Sequence, residues 1–567
     1  MVGAHRQLSA LSLLVLLMAS CSLFYQPATL YQCETRRDCV ALGAGFSQTI
    51  CEESLCVHPL ASGGKTGSDD TGGQGGSAPE CATNGDCIDA NYGNPYLCRA
   101  GECIALTDPE HCPIVLGAGQ DSENLRQPEP IVWGAYSKVD PTAPRLSVPT
   151  LNYELAIDEF NVGTRGGLPT GPGGTLRPFV AVVCSGTDEP NLDASLEHLI
   201  ERVQVPALLA SLYTTDLVQA FRQYGTTSDV FFLSPLEADS TLTSIDDEGR
   251  LWHMLTSASE LAPAYVPLLA NAEAYLRREA AVEPEQALRV AMVEAKTPFL
   301  SDLADELMVQ LHFNGMSALQ NEGEGNFARL RIDSALETVN PDVSAAIVEL
   351  AEMRPHVVLA VTSSEFVSLA SGLEAAWNPQ LGPPPFYLGS PYLMGVSALL
   401  KPPLVGLSER FLGVNFAAAA DSTLYDLYLS KLTSTYDVSF SLEGSENFYD
   451  AAYFLMYAIA ASEPGKSIHG AGVAKGMLRL IDGPQRYEMG SAQVGQTVSA
   501  LMNDSVATIE LVGTMGPPRF DASTGARLGG PSIFCLEDGS FLQNAFHYDE
   551  LSESIEGDPP CLPGFIE

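Results

Sequence analysis

The chain has 567 residues, 29 of them basic and 70 acidic, for a formal net charge of −41. Only 17% of the residues are charged, below the roughly 25% of an average soluble protein, so the imbalance reflects scarce Lys and Arg. Such a surface repels phosphate backbones and excludes a nucleic-acid partner, and 46% hydrophobic residues exclude a disordered acidic tail. A single core rarely serves more than about 300 residues, so more than one lobe is expected.

Residues Leu8–Ser20 form an apolar run of 13 behind Arg6, shorter than the about 20 residues of a membrane span. With small residues at its end, the run reads as a signal peptide over residues 1–20. Met18-Ala19-Ser20-Cys21 resembles a bacterial lipobox, with Met where Leu is usual. That resemblance implies cleavage before Cys21 and lipid attachment to it, where the alternative is a secreted protein cut nearby. The expected location is the bacterial cell envelope, on its periplasmic face or outer membrane, with the lipid bilayer reached through the Cys21 acyl anchor.

Twelve further cysteines follow, eight of them in an internal repeat. Cys33-x5-Cys39-x11-Cys51-x4-Cys56 is echoed by Cys81-x5-Cys87-x10-Cys98-x4-Cys103. Export favours disulfides, and the five-residue first gap fits a zinc ribbon poorly. Each set of four allows three connectivities, which spacing leaves open. The remaining Cys112, Cys184, Cys535 and Cys561 are expected to pair within each end of the globular region, 112 with 184 and 535 with 561. Residues 59–80 hold seven Gly and three Ser and read as a flexible linker. The front of the protein is thus a stapled module over 21–58, a tether, and a second module over 81–112.

From residue 131 strand-like and helix-like segments alternate. IVWGAY (131–136) predicts a strand and LNYELAIDEFN (151–161) a helix. Strand PFVAVVC (178–184), helix SLEHLIERV (195–203), strand PALLAS (206–211), helix TDLVQAFRQYG and strand DVFFLSP (229–235) follow. After Trp252 the pattern restarts with ALRVAMVEA (287–295), a helix around Ser301–Leu311, HVVLAVTSS (356–364) and PFYLGSP (385–391). Continuous apolar runs separated by helices predict buried parallel strands, hence an α/β fold of two doubly wound, Rossmann-like lobes.

The order of segments resembles the type I periplasmic solute-binding proteins of the branched-chain amino-acid receptor kind, across roughly 131–545. LNYELAIDEFN resembles the first helix of that family, and LEHLIERVQVPALLASLYTTD its helix, strand and hydroxyl-rich turn. VFFLSPLEADSTLT resembles its S-P-A-A-T loop, and ENFYDAAYFLMYAIAAS (446–462) its Y-D-A helix, continued by GAGVAKGMLRL. GPPRFDASTGAR (516–527) resembles its F-D-x-x-G turn. The resemblance implies two lobes joined by a hinge: residues 131–255 and 413–510 in the first, 256–412 and a completion in 511–567 in the second.

It also implies a small-molecule ligand such as an amino acid or related carboxylate held between the lobes, and an ABC permease as partner. By position, the hydroxyl turn is Tyr213-Thr214-Thr215, and the second loop is Ser234-Pro235-Leu236-Glu237-Ala238. That loop departs from the pattern, with Leu236 at a usual Ala and Ala238 at a usual Thr. Glu237 and Ser240 are placed to compensate. Opposite-lobe candidates are Thr362, Ser363, Ser390 and Tyr392, with Tyr449 and Asp450 near the hinge, Asp450 also fitting a structural role. No Gly-x-Ser-x-Gly or His-Glu-x-x-His occurs, and Ala460-x4-Gly-Lys-Ser lacks the first glycine of a phosphate loop. The expectation is a binding protein, not an enzyme, with no cofactor or metal; the alternative is a ligand sensor or surface interaction lipoprotein on the same fold.

Overall fold

A computed structural model describes residues 50–52, 55–57, 80–138, 147–170, 174–186, 189–279, 281–334, 340–416, 422–436, 444–462, 467–503, 505–517, 519–529, 531–557 and 561–566. The signal peptide, Cys21, Cys33, Cys39 and most of the linker lie outside them. The chain divides into two compact units, 1–78 with 89–94, and 79–88 with 95–567. In the first, strands Ile50–Glu52 and Leu55–Val57 pair antiparallel with Cys51 opposite Cys56. In the second, hairpin Tyr96–Arg99/Glu102–Ala105 sets Cys98 opposite Cys103, so the repeat seen in sequence is also a repeat of register. Its two-residue turn, Ala100-Gly101, takes positive φ at both positions (51° and 85°), the backbone hand that matches strand twist.

Disulfides join Cys81 to Cys98 and Cys87 to Cys103, first to third and second to fourth. Cys112–Cys184 and Cys535–Cys561 pair as expected. These eight sulfurs are therefore covalent staples rather than thiolate ligands.

The main strands of the second unit are, in chain order, β1 Ile114–Leu116, β2 Ile131–Ser137, β3 Phe179–Ser185, β4 Ala207–Ser211, β5 Phe231–Ser234 and β6 Leu251–Thr256. Next come β7 Val290–Ala295, β8 Phe327–Ile332, β9 Val357–Val361, β10 Phe386–Gly389 and β11 Phe411–Asn415. The last are β12 Arg519–Asp521, β13 Ala526–Leu528, β14 Ser532–Glu537, β15 Ser540–Asp549 and β16 Ser554–Glu556. They form two eight-stranded sheets, ordered β12-β13-β6-β5-β4-β2-β3-β1 and β8-β7-β9-β10-β11-β14-β15-β16. Both sheets carry a parallel core in which the first strand lies between the second and third, the doubly wound order with a switch point beside β2 and beside β7. The runs predicted as strands are buried along their length, as parallel strands covered on both faces must be.

Of the helices, α1 Val148–Gly163, α2 Thr214–Ala220, α3 Ala258–Arg278, α4 Pro298–Gln310, α5 Ser422–Thr435 and α6 Glu446–Ala461 bear on the site. Ser147 caps α1 by accepting from the Thr150 N–H (3.4 Å), and Pro149 sits in its first turn, where a missing N–H costs nothing. α6 is apolar almost all round and is buried almost all round. α3 and α4 cover the second sheet, and α5 and α6 return to α1 in the first lobe. The chain thus crosses between lobes after β6, after β11 and between β13 and β14. Thr256 Oγ1 donates to the Phe416 carbonyl (2.7 Å), tying two of these crossings together.

One boundary differs from expectation. Residues 511–567 are read from sequence as completing the second lobe, yet β12 and β13 extend the first sheet, β13 lying parallel to β6. Phe520 of β12 packs on Trp252 and Phe454 (5.3 and 5.6 Å between centroids), which draws the hairpin onto the first lobe. Only β14 onward joins the second sheet, antiparallel to β11.

Candidate functional site

Ligands of open α/β sheets bind beyond the carboxyl ends of the strands at the switch point. In the first lobe β2, β3, β4 and β5 all end on a serine: Ser137, Ser185, Ser211 and Ser234. Ser185, Ser137 and Ser211 are level across the sheet, and Ser211 Oγ shares a hydrogen bond with Tyr153 OH (3.0 Å). Ser234 Oγ accepts from the N–H groups of Leu236 (3.4 Å) and Glu237 (3.1 Å), which curls the loop after β5 and leaves Ser234 fully buried. Asn447, at the start of α6, holds the same loop by donating from Nδ2 to the Pro235 carbonyl (2.6 Å). Among the described residues its buried Oδ1 has no hydrogen-bond partner.

That loop delivers Glu237 to the end of β4. Thr214 Oγ1 donates to Glu237 Oε2 (2.7 Å), and Glu237 is only 4% exposed. Among the described residues no Lys or Arg pairs with this carboxylate. Burial, reinforced by the nearby Asp239 charge and opposed by the Thr214 bond, pushes its pKa up to about 7. Lys138, the cation just beyond β2, is held by Asp216 (3.1 Å) and lies over the Tyr213 ring (5.7 Å to the centroid). Tyr213 is exposed, Thr215 is exposed and Leu236 is half-buried.

From the second lobe Tyr392 faces this loop. Burial and then the charges of Glu237, Tyr213 and Asp239 hold its hydroxyl well above the usual phenol range. Its ring packs with Phe299 and Phe416, each pair of centroids 5.4 Å apart. At the rim Ser240 Oγ donates to Asp302 Oδ2 of α4 (2.6 Å), a direct bond between the lobes. Ser390 donates to the Thr362 carbonyl, and Ser363 Oγ donates to Glu365 (2.6 Å), so both hydroxyls are engaged within the second lobe. Thr362 Oγ1, just past β9, is buried without a partner among the described residues.

Among solved structures the chain is similar to one described as a branched-chain amino acid ABC transporter from Silicibacter pomeroyi: 13% identity, TM-score 0.51, covering 77% of this chain and all of that one (100%). It is also similar to the branched-chain amino acid substrate-binding protein LivJ of Streptococcus pneumoniae in complex with isoleucine: 12% identity, TM-score 0.50, 73% of this chain and 98% of that one. This chain has the type I periplasmic binding-protein fold. At these identities the likeness is one of fold. No protein-family model matches the chain, and no curated protein does.

Within this binding-protein fold the sequence candidates separate into two groups. Thr214, Glu237, Tyr213 and Tyr392 come together where the lobes meet. Tyr449 does not join them: its hydroxyl donates to Glu159 (2.5 Å) and its ring packs on Tyr428 and Tyr453 (4.8 and 4.9 Å), inside the α1–α5–α6 layer. Asp450 accepts from Thr514 N (2.9 Å), Thr514 Oγ1 (2.7 Å) and Met515 N (2.9 Å), which makes it an anchor for the chain entering β12. Glu237 and Ser240 do not restore the missing loop hydroxyl: Ser240 bonds the opposite lobe, and Glu237 takes the Thr214 hydroxyl for itself. Of the serine row only Ser234 was singled out as a candidate, although Ser137 and Ser185 directly follow two predicted strands and Ser211 ends a third. Two open cavities among the described residues lie elsewhere, about 450 Å³ beside Thr164 and Ser499 and about 980 Å³ between Arg99 and Arg202, and neither reaches Glu237.

Proposed function

We propose that this protein is an extracytoplasmic, lipid-anchored receptor that captures a small polar solute, of amino-acid size, between its two lobes and delivers it to an ABC importer. The observation that carries this reading is the meeting of Thr214, Glu237 and Tyr392 from opposite lobes at the strand ends, with Asn447 Oδ1 and Thr362 Oγ1 buried and unpartnered nearby. Buried polar atoms without partners are costly, and a bound solute supplies partners. Crossings between the lobes allow closure by rotation about a hinge. Of the solved neighbours of this fold, one is described as a branched-chain amino acid ABC transporter and another as a transporter substrate-binding protein with isoleucine bound.

A thermal-shift screen of the protein against amino acids, amines and small carboxylates tests the reading. A ligand at 100 times its dissociation constant adds about 2.7 kcal/mol of stability. A screen in which no small solute raises the melting temperature would overturn solute capture. The anchor has its own test: labelled palmitate enters the wild-type protein in cells and is absent from Cys21→Ser.

A further inference from the structure

The resemblance led to a site for a carboxylate, with Thr214 as the hydroxyl that holds it. The geometry reverses that polarity. Thr214 Oγ1 already donates to a carboxylate of the chain itself, Glu237 Oε2 at 2.7 Å. An incoming anion would have to displace Glu237 and then lie beside it. The groups that face Glu237 offer no cation to soften that repulsion. Asp239 lies on its own loop and Tyr392 on the second lobe, with Tyr213 near Tyr392 on the turn after β4, and Asp302 reaches the rim from α4. Lys138 is held by Asp216.

A second, independent group points the same way. Asn447 is 7% exposed, and because its Nδ2 donates to the Pro235 carbonyl, its unpartnered atom is the acceptor Oδ1. Two acceptors, a carboxylate and an amide oxygen, thus border one loop without donors from protein cations.

We propose that the interlobe site selects a small primary amine, with its ammonium group held against Glu237, and that a ligand carboxylate is not what Thr214 binds. This rests on the solute-capture reading above and names the class of solute. An ammonium brings three donors and a positive charge, which answer a carboxylate and a neighbouring amide oxygen together. It also offsets the cost of keeping that carboxylate ionised out of water. Because Glu237 titrates at about 7, it is mostly protonated at pH 6 in the free protein, and amine binding there must expel its proton.

The test titrates the full chain with n-butylamine, putrescine, L-leucine and butyrate by calorimetry at pH 8, where Glu237 is ionised, and repeats the amine titrations at pH 6 in two buffers of different ionisation enthalpy. The expected result is binding of at least one amine and none of butyrate at pH 8, and proton release approaching one per amine at pH 6. Glu237→Gln, checked for folding by circular dichroism, should weaken amine binding 10- to 100-fold, the range for a hydrogen bond to a charged group. Butyrate binding more tightly than butylamine, leucine binding that Glu237→Gln leaves unchanged, or amine binding without proton release would overturn the amine assignment and leave solute capture standing. Silence from these four probes and from the wider solute screen overturns both. The proton count is read on the wild-type protein, so the assignment stays open to refutation even if the variant misfolds.

Discussion

Two buried carboxylates, one in the anchor of β12 and one in the cleft, show how differently a single chain treats the same chemical group. Asp450 is fully buried, receives three hydrogen bonds from the Thr514–Met515 turn, and lies within electrostatic reach of buried Arg527. Glu237 is almost as buried, yet among the described residues it receives one side-chain hydrogen bond and pairs with no cation. Glu159 and Glu294 resemble Asp450: Lys431, Tyr449 and Tyr453 serve the first, and Ser301, Arg329 and Arg331 the second. A carboxylate held on several sides is part of the scaffold. One left short of donors at the mouth of two sheets is poised for something that arrives from outside.

The comparison is most sharply tested at Asp450. Asp450→Ala removes three charge-assisted bonds and takes away the counter-charge of buried Arg527, leaving it only the Met515 and Pro517 carbonyls, so unfolding in denaturant should show a loss of about 3–5 kcal/mol. A loss below about 1 kcal/mol would break the contrast. Glu237→Gln should act in the opposite direction. The folded pKa of Glu237, about 7, lies above the ordinary 4.5, so its protonated form contributes stability that is complete below 4.5 and lost as pH rises through 7. The variant escapes that loss. It should be more stable than wild type by about 3 kcal/mol at pH 8, and close to it at pH 4. Equal stability of the two proteins across this range would mean that Glu237 is not strained. Thr214→Val, which removes the one side-chain donor, should move the pH midpoint of the wild-type stability loss upward by about one unit. An unmoved midpoint would mean that another donor takes over.

What the sequence made legible follows the same physics. β2, β3, β4, β7 and β9 were readable because strands buried on both faces are uninterrupted apolar runs. β8 was not, since Arg329 and Arg331 break its pattern, and their reason for being there is Glu294 on the neighbouring strand. α3 escaped notice because Pro263 and Pro267 lie inside it, and a proline within a helical pattern argues for a break. In the site, Thr214 and Glu237 were both singled out from their motifs, but the bond between them joins positions 23 residues apart and exists only once β4 and β5 lie side by side. Tyr449 misled because its motif says which helix it belongs to, not which face of that helix it occupies.

The smallest expected effect concerns how the two lobes approach each other. Ser240 is exposed and Asp302 half-buried, and a hydrogen bond at such a water-accessible rim contributes about 0.5–1 kcal/mol. Ser240→Ala should therefore leave the melting temperature nearly unchanged. The bond nevertheless spans the cleft, so its loss shifts any balance between open and closed forms by the same small amount, a factor of about 2–5 in population. Small-angle scattering of the unliganded variant should report a larger radius of gyration than wild type, and saturating ligand should bring the two to a common value. Identical scattering without ligand would mean that closure is set by the crossings at Thr256 and Phe416, and that the rim bond only follows it.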